Sequence, residues 1–121
     1  MAGTVTITEV MLGTVKKLTF TWTSTSLGVA GVVTTEVYDG RVLAVIQVPN
    51  LGNPPTNLYD VVVNDADGFD VLHGLGANLS NAADTIKTQE DKTGAVGYSK
   101  LTLAVSAAGD SNQGKTILFI R

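Results

Sequence analysis

Four carboxylates crowd into one short stretch of the chain, at Asp60, Asp65, Asp67 and Asp70. The last three follow a D-x-D-G-x-D spacing, the opening of an oxygen-rich calcium loop, so Asp65, Asp67 and Asp70 are the candidate metal ligands. The match then stops. Counting from Asp65, the twelfth position is Gly76, where an EF-hand loop needs a bidentate Glu, and no helical pattern flanks the segment. Asp, Asn and Gly are also the residues of a hairpin turn, where their side chains satisfy backbone groups and their backbones tolerate left-handed conformations. Turn chemistry is the expectation here, with calcium as the alternative.

Catalysis has fewer footholds. His73 is the single histidine, so any Ser-His-Asp relay must pass through it, and no G-x-S-x-G nucleophile elbow accompanies it. A structural histidine at a strand end is expected. The Gly74-Leu75-Gly76-Ala77-Asn78 stretch lacks the third glycine and the strand-to-helix setting of a dinucleotide fingerprint. Without a cysteine, neither disulfides nor thiolate metal sites are available, which suits a reducing compartment. The expectation is therefore a protein that is not an enzyme and has no cofactor.

The elements that must position these residues read as strands. Leu18, Phe20 and Trp22 alternate with Lys17, Thr19, Thr21 and Thr23, the period of a half-buried strand. Thr4 to Leu12 is rich in β-branched residues, and Gly13 offers a turn between the two. Asp39-Gly40 predicts a type I′ hairpin from about Val32 to Val48, with Tyr38 facing Arg41. That register puts Val33, Val37, Val42, Ala44, Ile46 and Val48 on the core face. It turns Leu43 and Val45 outward with Tyr38 beside them, two aliphatics that need a cover. Tyr38, Leu43 and Val45 are accordingly the expected interface residues, Tyr38 either packing across its hairpin or anchoring a partner.

Pro49 stops that strand, and Asn50 to Asn57 with Pro54-Pro55 reads as a stiff loop. Tyr59 to Val63 is a strand, Asn64 to Gly68 its turn and Phe69 to His73 a return strand. Residues 74–97 lack a clear pattern, with Ala82 to Lys92 either a short helix or a long loop. Lys100 to Ser106 and Thr116 to Ile120 close the chain as strands. The fold expected is all-β, an antiparallel β-sandwich or jelly-roll-like barrel in a single domain over 1–121. Its core should hold Leu18, Phe20, Trp22, Val33, Val37, Ile46, Val61, Leu103 and Phe119.

Composition narrows the partners. In 121 residues only 16% are charged, against roughly 25% in ordinary soluble domains, while mean hydropathy is +0.23. Such an exterior suits a protein that lives against neighbours in an assembly. A net charge of −3 with scattered basic residues argues against nucleic acid. No run is apolar and long enough to span a bilayer, and Met1 to Ile7 has neither the basic nor the apolar region of a signal peptide, so synthesis in a cytoplasm is expected.

Several runs together resemble a family of short structural proteins of tailed bacteriophage virions: Val48-Pro49-Asn50, then Pro54-Pro55-Thr56-Asn57-Leu58-Tyr59-Asp60-Val61-Val62-Val63, then Asp67-Gly68-Phe69-Asp70-Val71-Leu72, with Leu101 to Ser106 near the close. The resemblance implies a structural role in the particle. A capsid decoration or cement protein is the expectation, made in the host cytoplasm and resident on the capsid surface. Its partners would be the major capsid protein and further copies of itself, as a dimer or trimer. The alternatives are a head-tail connector or tail component, or a calcium- or carbohydrate-binding β-sandwich.

Overall fold

In the computed structural model, which describes residues 3–11 and 13–121, about half the chain is strand and only 3% helix. The Leu12 end of the first expected strand and the Met1-Ala2 start of the N-terminal run lie outside the described residues. Among the described residues nine strands form: β1 (Thr4–Val10), β2 (Lys16–Thr23), β3 (Ala30–Val33), β4 (Tyr38–Pro49), β5 (Asp60–Asn64), β6 (Thr85–Thr88), β7 (Ala95–Ser99), β8 (Thr102–Ser106) and β9 (Gln113–Ile120). A single 3₁₀ turn, Gln89–Asp91, follows β6. The strands make two antiparallel sheets. One has the order β1-β2-β9-β4-β6, with β7 also on β4, and the other has the order β3-β8-β5. One hydrophobic cluster fills the space between them, drawing on both sheets, as expected of an all-β sandwich.

β2 forms as its alternation dictates. Leu18, Phe20 and Trp22 are buried, and Trp22 stacks at a tilt on Tyr59 with ring centroids 5.7 Å apart. The Trp22 ring lies so close over Gly114 that a Cβ there would come within 2.4 Å of it, so β9 needs glycine at this position. Val61 and Leu103 are also in the core. One polar pair is buried with them: Thr116 Oγ1 donates to Gln47 Oε1 at 2.6 Å.

The expected hairpin at Asp39-Gly40 does not form. Tyr38 to Pro49 is one continuous strand, and β3 belongs to the other sheet, so Tyr38 does not face Arg41 but pairs with Ser99. Gly40, at φ +128, serves a bulge in the β4–β7 ladder. A Cβ at Gly40 would come within 2.3 Å of the Arg121 carbonyl, and Arg41 exchanges backbone hydrogen bonds with Arg121 at 2.8 and 2.9 Å. The glycine therefore permits a close approach of two strands.

A second irregularity matters more. Along β4 the partners run Val42 with Ile120 and then Ala44 with Phe119, so one extra residue, Leu43, is inserted against β9. An insertion of one residue reverses the phase of everything beyond it. Val42 faces the core as expected, but Val45 and Gln47 also point inward while Ala44, Ile46 and Val48 turn outward. Val33, at 52% exposure, and Val37 are likewise outside the core, since the hairpin that was to bury them is absent. Phe119 is half-buried on the outward phase of β9.

The return strand from Phe69 to His73 is replaced by overlapping turns. After one bridge between Asn64 and Asp70, His73 N donates to Asp70 O and Leu75 N to Leu72 O, both at 3.0 Å. The patternless region folds as β6, the 3₁₀ turn and β7, all joined to β4. The Gly109 to Gly114 segment carries the chain from one sheet to the other, because β8 and β9 are not neighbours.

Candidate functional site

The carboxylates singled out above are engaged with the backbone. Asp65 accepts from the amides of Asp67 at 2.9 Å and Phe69 at 3.0 Å, the arrangement of an Asx turn. Asp70 accepts from Leu72 at 3.0 Å through Oδ1 and from Gly74 at 2.8 Å through Oδ2, and Asp60 accepts from Asn78 at 2.8 Å. Asp67 is exposed and stands apart from this network. Among the described residues, no three His, Asp or Glu side chains gather as a ligand set for a metal ion. These acids organise the turns around β5.

His73 sits in one of those turns with a left-handed backbone, φ 53, rather than at a strand end. Its Nδ1 lies 2.6 Å from the Lys92 carbonyl, an acceptor, so Nδ1 carries the proton of this hydrogen bond. Phe69 meets the ring edge-on at 5.2 Å. These residues border an open groove of about 470 Å³ shared with Arg41, Gln89 and Thr93. The Thr93 hydroxyl is committed to the Val42 carbonyl at 2.6 Å. Nδ1 of the imidazole and the Thr93 hydroxyl are thus each tied to backbone.

The expected interface residues are not where the hairpin register put them. Tyr38 is fully buried, Val45 is 1% exposed and Leu43, the bulge residue, is half-buried. Burial, with the nearby Glu9 carboxylate, raises the Tyr38 phenol well above the ordinary tyrosine range. Burial also pushes Tyr59 up to about 12, with a smaller contribution from Asp84. Neither is a surface aromatic.

The outward aliphatics exist one residue further along. On the outer face of the six-stranded sheet, Ile117 of β9, Ile46 of β4 and Ile86 of β6 stand in one cross-strand row. Phe119 and Ala44 pair in the next row. Ile86 is 60% exposed, and Ile46, Ile117 and Phe119 are each only half-covered. Lys17, also outward, carries its ammonium over the Phe119 ring at 5.9 Å from the centroid. The remaining outward positions of β1, β2 and β9 are Thr4, Thr6, Thr8, Val10, Thr19, Thr21, Thr23, Gln113 and Lys115. No carboxylate stands among these positions of β1, β2 and β9; the exposed Asp39 stands at the start of β4, and the chain as a whole is acidic. This is an apolar stripe rimmed by threonine and lysine, the pattern of a protein contact surface.

The sequence predicts a covered aliphatic face on Leu43 and Val45 and core positions for Ile46 and Phe119, and that expected face includes neither Ile86 nor Ile117. Among the described residues, no helix is long and apolar enough to cross a membrane. Comparison of the chain with protein-family models, with curated proteins and with solved structures found no match.

Proposed function

We propose that this chain is a non-enzymatic structural protein of a bacteriophage virion, a decoration or cement protein that attaches to the shell of major capsid protein. The observation that carries the reading is the half-covered Ile46, Ile86, Ile117 and Phe119 stripe on the outer sheet face. A cement protein must dock on many identical sites, and an apolar stripe on a rigid sheet offers the same surface each time. The low charge density and the sequence resemblance support the same role. So does the sign of the face, where Lys17 and Lys115 border the stripe and suit a shell surface with acidic residues around an apolar patch.

The calcium- or carbohydrate-binding alternative draws less support. Asp65 and Asp70 are occupied by backbone amides, and Trp22, Tyr38 and Tyr59 are buried. Of the tryptophan and tyrosines only Tyr98, at 79% exposure, is left for stacking on a sugar. The test is co-sedimentation of the purified chain with shells of the same virus. Saturable binding at a fixed ratio to the shell protein is expected. Absence of binding to shells, with saturable binding to purified tails, would replace this reading with the connector or tail alternative.

A further inference from the structure

The edges of the two sheets are not equally protected. Along β5, the amide of Val61 donates to Gly76 O at 2.7 Å and the carbonyl of Val63 accepts from Val71 at 2.8 Å, so the 70–76 turns cover that edge. β3 and β6 are four residues each, and β7 is distorted at Tyr98, φ 53. β1 differs from all of these. It has seven residues, pairs with β2 alone and contains no proline, lysine or bulge, the devices that keep an edge from pairing.

The ladder shows which groups are bare. Ser24 N donates to Asn112 O at 2.8 Å, continuing the β2–β9 register, so even-numbered residues of β2 bond to β9 and odd-numbered ones turn to β1. Their partners on β1 are Thr4, Thr6, Thr8 and Val10. The amides and carbonyls of Val5, Ile7 and Glu9 therefore point out of the sheet, and among the described residues no hydrogen-bond partner meets them.

We propose that β1 pairs antiparallel with β1 of a second copy, across a two-fold axis at Ile7, joining the two larger sheets into one. Ile7 then meets Ile7 of the second copy, and Val5 of each copy meets Glu9 of the other. All the bare groups are satisfied together, because the exposed pattern is its own complement. On the outer face Thr6 stands opposite Thr8 of the second copy, a pairing of hydroxyls that β-ladders favour. Charge allows it as well. Glu9 is the one charged residue of β1, and its carboxylate is turned away to accept from Thr35 N at 3.2 Å and from the Thr35 hydroxyl. Across the two-fold the two Glu9 residues stand at opposite ends of the ladder, about 14 Å apart at the usual rise per residue. A one-strand contact is small, so the association belongs to the weak, concentration-dependent class.

This pairing goes beyond shell attachment and is measured on the chain alone, so it can fail while shell binding holds, and the reverse. Sedimentation velocity from about 1 to several hundred µM should show the mass rising from one chain toward two, the range in which weak interfaces fill. Over the same range, hydrogen exchange at the Val5, Ile7 and Glu9 amides should slow at least about tenfold, the signature of newly paired groups. Thr6→Lys with Thr8→Lys sets lysines opposite one another in the pair and should keep the chain monomeric, with an unchanged circular dichroism spectrum. A wild type that stays monomeric throughout overturns the proposal. So does a dimer whose Val5, Ile7 and Glu9 amides exchange freely, or a dimer that survives the double substitution. Protection of these amides only when shells are added would assign the edge to the shell protein and overturn it equally.

Discussion

Ile46 of β4 stands opposite Ile117 of β9 on the outside of the six-stranded sheet, while the adjacent residues Val45 and Leu118 stand opposite each other in the core. One strand pair thus supplies both a core contact and a half-covered surface contact. The bulge at Leu43 decides which residue does which.

The surface contact predicts a separation of binding from stability. Ile86→Lys together with Ile46→Thr should reduce shell binding at least about tenfold, since truncation at the centre of an apolar contact commonly costs more than 1 kcal/mol. At Ile86 the change of stability should stay within about 0.5 kcal/mol, as for other exposed positions. Co-sedimentation with shells and thermal melts of the same preparations check both halves. Normal binding by the double variant would show that the stripe is not the docking surface.

The core contact predicts the reverse. Val45→Lys places an unpaired ammonium at a position with 1% exposure, and the chain should fail to fold. Val45→Ala should fold with a loss of about 1–3 kcal/mol, as for a small core truncation. Denaturant melts followed by circular dichroism give both numbers. If Val45→Lys folds with wild-type stability, the inward phase assigned to β4 beyond Leu43 is wrong.

β2 and β4 explain how far the sequence could be read. In β2 the alternation of Leu18, Phe20 and Trp22 with threonines admits one phase, and the structure keeps it. In β4 the run Val42-Leu43-Ala44-Val45-Ile46 is apolar at every position, so hydrophobicity cannot say which side is inside. Asp39-Gly40 predicts a hairpin, but glycine serves a turn and a bulge equally well, and nothing in the apolar run marks Leu43 as the inserted residue that reverses the phase beyond Val42. β6 is four residues, Thr-Ile-Lys-Thr, and its strand character comes from pairing with β4 rather than from its own pattern. The outward aliphatic stripe is legible in the sequence only as a surplus of aliphatics. The signal that could have located it is the consecutive run Ile117-Leu118-Phe119-Ile120, since a strand apolar on both faces must be covered on both.

The buried polar pair yields a double-mutant cycle. Thr116→Val alone leaves Gln47 Oε1 without its donor in the core and should cost about 1–3 kcal/mol, the usual penalty for an orphaned buried group. Adding Gln47→Leu removes the orphan together with an amide nitrogen that has no protein partner, and should recover most of that loss. Denaturant midpoints for the two singles and the double settle it. Simple additivity would mean that the pair is not coupled.

The buried tyrosines predict an alkaline limit to stability. The unfolded chain ionises its phenols near pH 10, whereas in the fold Tyr59 is pushed up to about 12 and Tyr38 is raised as well, burial being the main cause for both. A group whose folded pKa lies above its unfolded value contributes its full stabilisation below the unfolded pKa and loses it as pH rises toward the folded one. Stability should therefore be level through neutral and mildly alkaline pH and fall above about pH 10, by about 2–3 kcal/mol from Tyr59 alone by pH 12. Tyr59→Phe keeps the ring against Trp22 while removing the ionisable hydroxyl, so it should make the alkaline limb shallower by the Tyr59 share, leaving that of Tyr38, with the neutral-pH melting temperature nearly unchanged. Thermal melts between pH 7 and 11.5, with phenolate absorbance followed in parallel, test this. In the wild type the phenolate signal of two of the three tyrosines should develop only as the fold opens. Early, reversible ionisation of all three without loss of structure would show that Tyr38 and Tyr59 reach solvent.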